Sequence, residues 1–517
     1  MTINKFLRFL VFAFVLTLMI GCSNDKDNEV SGTNDEDGKP TISISMRTQA
    51  LPYVENHTDI NEDKYVKKLE ELTNVNLDFR VLPHTDFDEK MTVMLASDNI
   101  PDVVMATGIF APELAGGVEA GAFMPLNDLL EEHGQNLLEV IPQEAWDEVT
   151  WDEDGQIYAI PSYLTNNARR GTAIRMDLLE KAGLDVPETT EEFFEVLKAF
   201  KELGVEHPFK GRSNFRYADN FLGAFDALPF QWELHEDQVV PKFMIDDRMK
   251  QALEFHHRMY EEGLLHQEFL TLDDGHRSVI VSGDAGMWSM NAMQVYEWES
   301  ELKEHVPDAE VAIIPSPKGP DNKGGHHYYG NTVRTYLIHN DTKADPVDII
   351  KFFDWMVSEE ASEFFNYGIE GENYTKDSNG NINYEMEETP EFLQEQEFRT
   401  GWLWMVRDET YTEGILELTE EGQELMDVFD NVLSNEGRGS ITFVGGIEAL
   451  NNNPDIMPGP DSPPPFWMTE AAKIIVGDEP IEYYDEIVEK WLELGGQAAI
   501  DEATERYKNE DGVIILE

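Results

Sequence analysis

Thr41-Ile42-Ser43-Ile44-Ser45-Met46 alternates apolar and polar side chains, the period of a β-strand. Downstream of it, Asp63–Leu72 has a helix-like pattern and Asn76–Leu82 returns to strand character. Phe87–Ala96 carries Phe87, Met91, Met94 and Leu95 at helical spacing. Asp98-Asn99-Ile100-Pro101 then turns the chain into Asp102-Val103-Val104-Met105, a short run of buried-strand type. Strand, helix, strand, helix, strand predicts an α/β lobe with a largely parallel sheet, because parallel neighbours need a crossover between them.

Beyond this lobe, Trp151 to Pro161 reads as a hairpin about Asp154-Gly155 that leads into a crossover. Thr189-Thr190-Glu191-Glu192 is a capping box with Pro187 ahead of it, and Phe193, Val196, Leu197 and Phe200 share one face of the helix it starts. Met249–Glu262 is a second helix, stopped by Gly263. Asp284–Trp288 and Glu310–Ile314 have strand character, and Pro315–Gly330 is a Gly/Pro/His loop. Thr332–His339 is again a strand, and Asp345-Pro346 opens a helix whose core face is Ile349, Ile350, Phe353, Met356 and Val357. Tyr374–Tyr384 reads as a hairpin about Asn379-Gly380. The remainder is mainly helical, broken by Pro458–Pro465.

Toward the N-terminus, Lys5 and Arg8 precede an apolar run from Phe9 to Ile20 and the small residue Gly21. The run is short for a membrane span and suits the core of a signal peptide, expected over residues 1–21. Cys22, the only cysteine in the chain, follows directly, as in a bacterial lipobox, although Met19 stands where leucine is usual. The expectation is an acylated Cys22, a polar tether over residues 22–40, and a body held at the extracellular face of the cell membrane. With one cysteine, the body has no internal disulfide.

The 517 residues suffice for one large two-lobed body. Lysine and arginine total 38 against 103 aspartates and glutamates, a net charge of −65. Loss of residues 1–21, which hold Lys5 and Arg8 and no acid, makes the balance two units more negative. Such a field repels nucleic acid and anionic lipid, so no nucleic-acid partner is expected. It also makes an acidic cluster uninformative, because solvation alone accounts for it. No G-x-S-x-G, H-E-x-x-H, Walker or G-x-G-x-x-G pattern is present. His256-His257 and His326-His327 are adjacent pairs whose rings point apart in a helix or strand, so neither predicts a metal site.

Several motifs occur together in a telling order. They are Asp154–Pro161, Arg175–Leu184 with Pro187 and the capped helix, Tyr260–Leu265 followed by Glu268-Phe269-Leu270, Gly283–Trp288, and Asn366–Gly371. From about Thr41 to the C-terminus the chain resembles family 1 extracellular solute-binding proteins, the lipid-anchored receptors of ABC importers, and in particular the large oligosaccharide-binding lipoproteins of Gram-positive-type cells. The resemblance implies an α/β, two-lobed, periplasmic-binding-protein-like fold of type II, with a hinge and an interlobe cleft. It assigns residues 41–160 and 331–370 to an N-lobe and residues 161–330 and 371–517 to a C-lobe. It further implies a monomer without enzymatic activity or cofactor, with an oligosaccharide ligand and ABC permease subunits as partners. Some relatives carry a calcium loop after the capped helix; here Glu202–Pro208 has too few oxygen ligands. Asp377-Ser378-Asn379-Gly380-Asn381 reads as a hairpin turn, because its glycine comes too early for an EF-hand loop.

Sugars present hydroxyls, which need planar hydrogen-bonding groups, and C–H patches, which stack on aromatic faces. On that chemistry the expected ligand-binding residues are Trp288, Trp402, Tyr163, Tyr367, Glu370, Asn291, Asn331, Arg47 and Arg407. Arg169, Arg170 and Arg175 form a basic island suited to an acidic sugar. Each aromatic has a competing reading as a core residue. Two rival functions remain open at this level: a secreted polysaccharide-degrading enzyme, because so many acids always supply a carboxylate pair, and a sugar-binding adhesin.

Overall fold

The computed structural model describes residues 38–516 except 98, 152–154, 213–214, 266–268, 270–274, 386, 388, 409–411, 452 and 460–461. The expected signal peptide, Cys22 and most of the tether lie outside the described residues, as does Asp154 of the hairpin turn. Among the described residues no helix is long and apolar enough to cross a membrane.

The first sheet has five strands, in the order Asn76–Leu82, Thr41–Arg47, Val103–Ala106, Thr332–Ile338, Ile160–Tyr163. The first three are parallel and the last two pair antiparallel. The helix Lys64–Thr73 makes the first crossover, and Asp63 caps it by accepting from Tyr65 N at 2.8 Å. Helices cover both faces, so Thr41–Arg47 is buried on both sides and its serines have to find partners inside. Ser43 Oγ donates to Asp102 at 2.5 Å, and Ser45 Oγ accepts from Met105 N at 3.2 Å. Asp102 also accepts from Thr342 Oγ1 at 2.8 Å and Lys343 N at 2.7 Å, tying two strands to the loop that precedes the helix Pro346–Trp355.

The second sheet runs Val311–Ile314, Arg170–Arg175, Ala285–Asn291, His207–Lys210. Strand alternation divides its side chains between two cores. Ile174, Met287 and Ile314 face Phe193, Leu197 and Phe200 of the capped helix Thr190–Glu202, in a core that the C-terminal helices complete with Trp467, Ile487 and Trp491. Ala173, Trp288 and Ile313 face Ile415, Leu416, Leu425 and Phe429. The strand expected to end at Trp288 runs three residues further, to Asn291, because Met290 and Asn291 go on pairing with Gly171 and Arg170.

Three segments pass between the two sheet-centred bodies, after Tyr163, before Thr332 and after Val406. They lie side by side. Leu164 N donates to Asn331 O at 2.8 Å and Tyr329 N to Asn167 O at 3.0 Å, while Tyr163 N donates to Val406 O at 3.1 Å and Asp408 N to Tyr163 O at 3.1 Å. Residues 398–406, grouped by the sequence reading with the second lobe as part of 371–517, pack instead in the first core, where Phe398, Trp402, Trp404 and Val406 are buried. The hairpin expected at Tyr374–Tyr384 forms, with Asp377 Oδ1 accepting from Asn379 N at 2.7 Å and Asn381 N at 2.9 Å.

Candidate functional site

Open α/β sheets hold ligands outside the carboxyl ends of their strands. In the first sheet these ends are Arg47, Leu82 and Ala106; in the second they are Lys210, Asn291 and Ile314. The antiparallel strand Arg170–Arg175 begins at the same end of the second sheet, since Arg170 pairs with Asn291. The crossing segments reach the second sheet at that same end, so the hinge and the strand ends share one rim.

Ion pairs hold the rim together. Asp408 is buried between Arg169, with which it makes a very short contact, and Arg334, whose Nη2 lies at 3.1 Å. Burial opposes its ionisation, but the two guanidinium charges prevail and keep the carboxyl below its usual range. Arg170 pairs with Asp219 at 2.7 Å, and Asp219 also accepts from His327 N at 2.7 Å. Arg175, at the end of its strand away from the rim, forks onto Asp177 through bonds of 2.6 and 2.8 Å. Arg169, Arg170 and Arg175, expected as an island for an acidic sugar, are therefore each already matched by an internal aspartate.

The structure brings three of the expected site residues together at the crossings. Tyr163 is paired with Arg407, whose Nε donates to the phenol oxygen at 2.8 Å. Asn331 joins them through Leu164 and donates from its backbone to Glu148 at 2.8 Å. Arg47 and Asn291 stand at strand ends. Arg47 lies over the Phe87 ring, and Asn291 accepts from Met293 N at 3.2 Å, starting a short helical turn.

The remaining candidates lie elsewhere. Trp288 is 1% exposed, inside the core between the second sheet and residues 415–433, with its indole N–H on Met290 Sδ at 3.2 Å. Trp402 is fully buried in the first core, stacked on Phe398 and donating to Arg47 O at 2.8 Å. Both are core side chains, with no face open to a ligand. Tyr367 is half-buried against Tyr374 and Tyr384, and Glu370 is exposed beside the same hairpin, so neither sits at the crossings.

Sequence reasoning missed a second set. Arg170 lies 4.0 Å from the centre of the Tyr217 ring and 5.1 Å from that of Tyr329, and Arg212 lies 4.6 Å from the Tyr217 ring centre. Half-buried aromatics, with the buried Arg170 and the half-buried Arg212, thus run from the crossing segment out past strand His207–Lys210. A signal was available: Lys210–Tyr217 holds three cations, two aromatics and no acid, in a chain dominated by acids. Beside the crossings lies a cavity of about 280 Å³ lined by Thr165, Asn166, Arg169, Met293, Asp408 and Phe429 among others. A larger groove of about 820 Å³ is bounded by residues 431–441 and the C-terminal strand, and Pro315, just past the carboxyl end of Val311–Ile314, also lines it. Its Lys242 and Arg438 are engaged by Asp226 and Asp321.

The rim offers planar donors and aromatic faces, which suit hydroxyls and C–H patches. Glu297 and Glu397 are neighbouring carboxyls, both buried out of reach of a polymer. His256 and His257 point to different carbonyls, those of Ala252 and Ile475.

Comparison with known proteins agrees with this architecture. Residues 58–363, more than half of the chain, match the model of the family described as bacterial extracellular solute-binding protein. The polygalacturonan/rhamnogalacturonan-binding protein YtcQ of Bacillus subtilis is 24% identical over 98% of this chain and 99% of its own. Among solved structures, the alginate-binding protein AlgQ2 without calcium ion superposes with a TM-score of 0.69 at 19% identity, over 90% of this chain and 98% of that one. The substrate-binding protein FusA of a Streptococcus pneumoniae ABC transporter, in complex with kestose, gives a TM-score of 0.66 at 17% identity, over 91% of this chain and 99% of that one. These structures establish the fold as that of the two-lobed solute-binding proteins.

Proposed function

The chain belongs to the bacterial extracellular solute-binding protein family, and from that premise we propose that it captures an oligosaccharide between its two bodies and delivers it to an ABC importer. The observation that carries this reading is the rim itself: three hydrogen-bonded crossing segments beside strand ends rich in aromatic and planar polar groups. Tyr163, Arg407, Asn331, Asn291 and Arg47 are its ligand-facing residues from the original set, joined by Tyr217 and Tyr329. Binding closes the bodies by rotation about the crossings, and the closed form docks on the permease subunits. The ligands printed in the names of YtcQ, AlgQ2 and FusA are all saccharides, which supports the ligand class. Gly21-Cys22 behind its apolar run supports acylation at Cys22 and a tether at the extracellular face of the cell membrane.

Binding without cleavage separates this reading from the hydrolase. A fluorescence titration with oligosaccharides of three to six units saturates, and chromatography after long incubation returns the sugar at its starting length. Shortened products contradict the proposal. Binding of polymer with none of short oligomers contradicts it too, in favour of an adhesin.

A further inference from the structure

We propose that Arg212 is a carboxylate-reading residue and that the sugar this site selects is a uronic-acid oligomer; the inference rests on the reading of the rim as a saccharide site. The argument begins with charge. With 103 acids against 38 basic residues, the protein repels an anionic ligand at long range, so such a ligand is held only where a local cation remains unneutralised. Arg170 and Arg175 fail that condition, each being matched by its own aspartate, and Arg169 and Arg334 are held against the one Asp408 they share. Arg212 meets it. Among the described residues it has no carboxylate partner, is half-buried, and rests its guanidinium against the Tyr217 ring.

Its surroundings point the same way. Arg212 lies two residues beyond the carboxyl end of His207–Lys210, on the rim. Tyr217 holds it from one side and is itself braced by Arg170, whose own charge Asp219 neutralises. Stacking leaves the in-plane N–H groups of the guanidinium free to fork onto a planar carboxylate, while the neighbouring rings accept the sugar's C–H face. Phe215 and Tyr217 both have left-handed backbones, at φ of 55° and 57°. Bulky residues adopt this conformation at a cost of about 1–3 kcal/mol each, and such strain gathers where a loop must present particular side chains. The local potential is positive: buried His276 is driven down to about 3 by burial and by the charges of Arg212 and Lys210. A carboxylate brought to Arg212 supplies the partner that this guanidinium lacks among the described residues.

The test compares wild type, Arg212→Gln and Arg212→Lys, each checked for an unchanged melting profile. The probes are trimers of galacturonic, mannuronic and glucuronic acid, the methyl ester of each, and neutral trimers. Wild type binds at least one uronate trimer ten-fold or more tighter than its ester, and the preference shrinks as salt rises. Arg212→Gln abolishes the preference without weakening ester binding, and Arg212→Lys, which keeps charge but not the fork, retains part of it. Equal binding of acid and ester by wild type overturns the inference and leaves the saccharide reading standing. So does a preference that survives in Arg212→Gln. Failure of every saccharide to bind overturns the saccharide reading as well.

Discussion

Asp408 carries the heaviest electrostatic duty of any single residue at the crossings, because one carboxylate serves two buried guanidiniums. Asp408→Asn keeps the shape and leaves Arg169 and Arg334 uncompensated, which costs about 3–5 kcal/mol by urea denaturation at pH 7. Its folded pKa lies below the unfolded value of about 3.9. The stabilisation is therefore complete above the unfolded value and disappears as pH falls through the folded one, so the gap between wild type and variant narrows in acid. A gap independent of pH contradicts this role. Trp288 carries a different expectation. Trp288→Ala empties a core position and lowers stability by about 3–5 kcal/mol; a fully stable variant contradicts the core placement. The two tryptophans show how legibility fails at single residues. Trp288 looked like a rim residue because its strand was ended too soon; three more paired residues carry the rim to Asn291 and leave the indole in the core. Trp402 lies in a π-helical segment whose contacts are with Phe79 and Arg47, more than three hundred residues away, and no local pattern reports such a partner. Arg175 lost its candidacy to Asp177 two residues on, a pairing that strand-to-helix geometry permits and linear spacing does not announce.

Elements were more legible than sites, because period and capping are local. Ile42–Met46, the capping box at Thr189 and the Asp345-Pro346 start all form as expected. What periodicity does not give is which body an element joins, and the helix Pro390–Glu397 illustrates the point. It runs into the first-core segment 398–403, and Glu395 at its end accepts from Tyr65 Oη at 2.6 Å in the first body. Glu397 faces the other way, toward Gln294, Glu297 and Arg277 of the second body. Burial and the neighbouring Glu297 charge push Glu397 well above the usual carboxylate range. A raised pKa means that the folded state holds its proton longer than the unfolded chain. The stabilisation is full below the unfolded value of about 4.3 and is lost as pH rises through the folded one. Glu397→Gln, permanently neutral, removes this alkaline loss, so its melting temperature falls less than wild type's in a series toward high pH. Parallel curves contradict a proton held on Glu397 at this junction. Gly223 supports the rim from below: a Cβ there meets Gly325 O at 1.8 Å. Gly223→Ala forces helix Asp219–Ala224 away from His326 and His327 and destabilises by about 1–3 kcal/mol.

At the scale of the whole molecule, the alternation of strands and helices gave the α/β class, while the two-body arrangement came from resemblance and could not have come from pattern. Hinges leave no period in a sequence; they are made by distant segments that meet, here residues 163–167, 329–331 and 406–408. Net charge acts at this scale as well. A net charge of −65 opposes self-association, and against it an anionic ligand is held only through a local exception. The central claim is that saccharide binding and closure about the crossings are one event. Small-angle scattering during an oligosaccharide titration tests it most directly. The radius of gyration is predicted to fall and to saturate at the same sugar concentration as the fluorescence change; a radius that stays constant while the sugar demonstrably binds would contradict it.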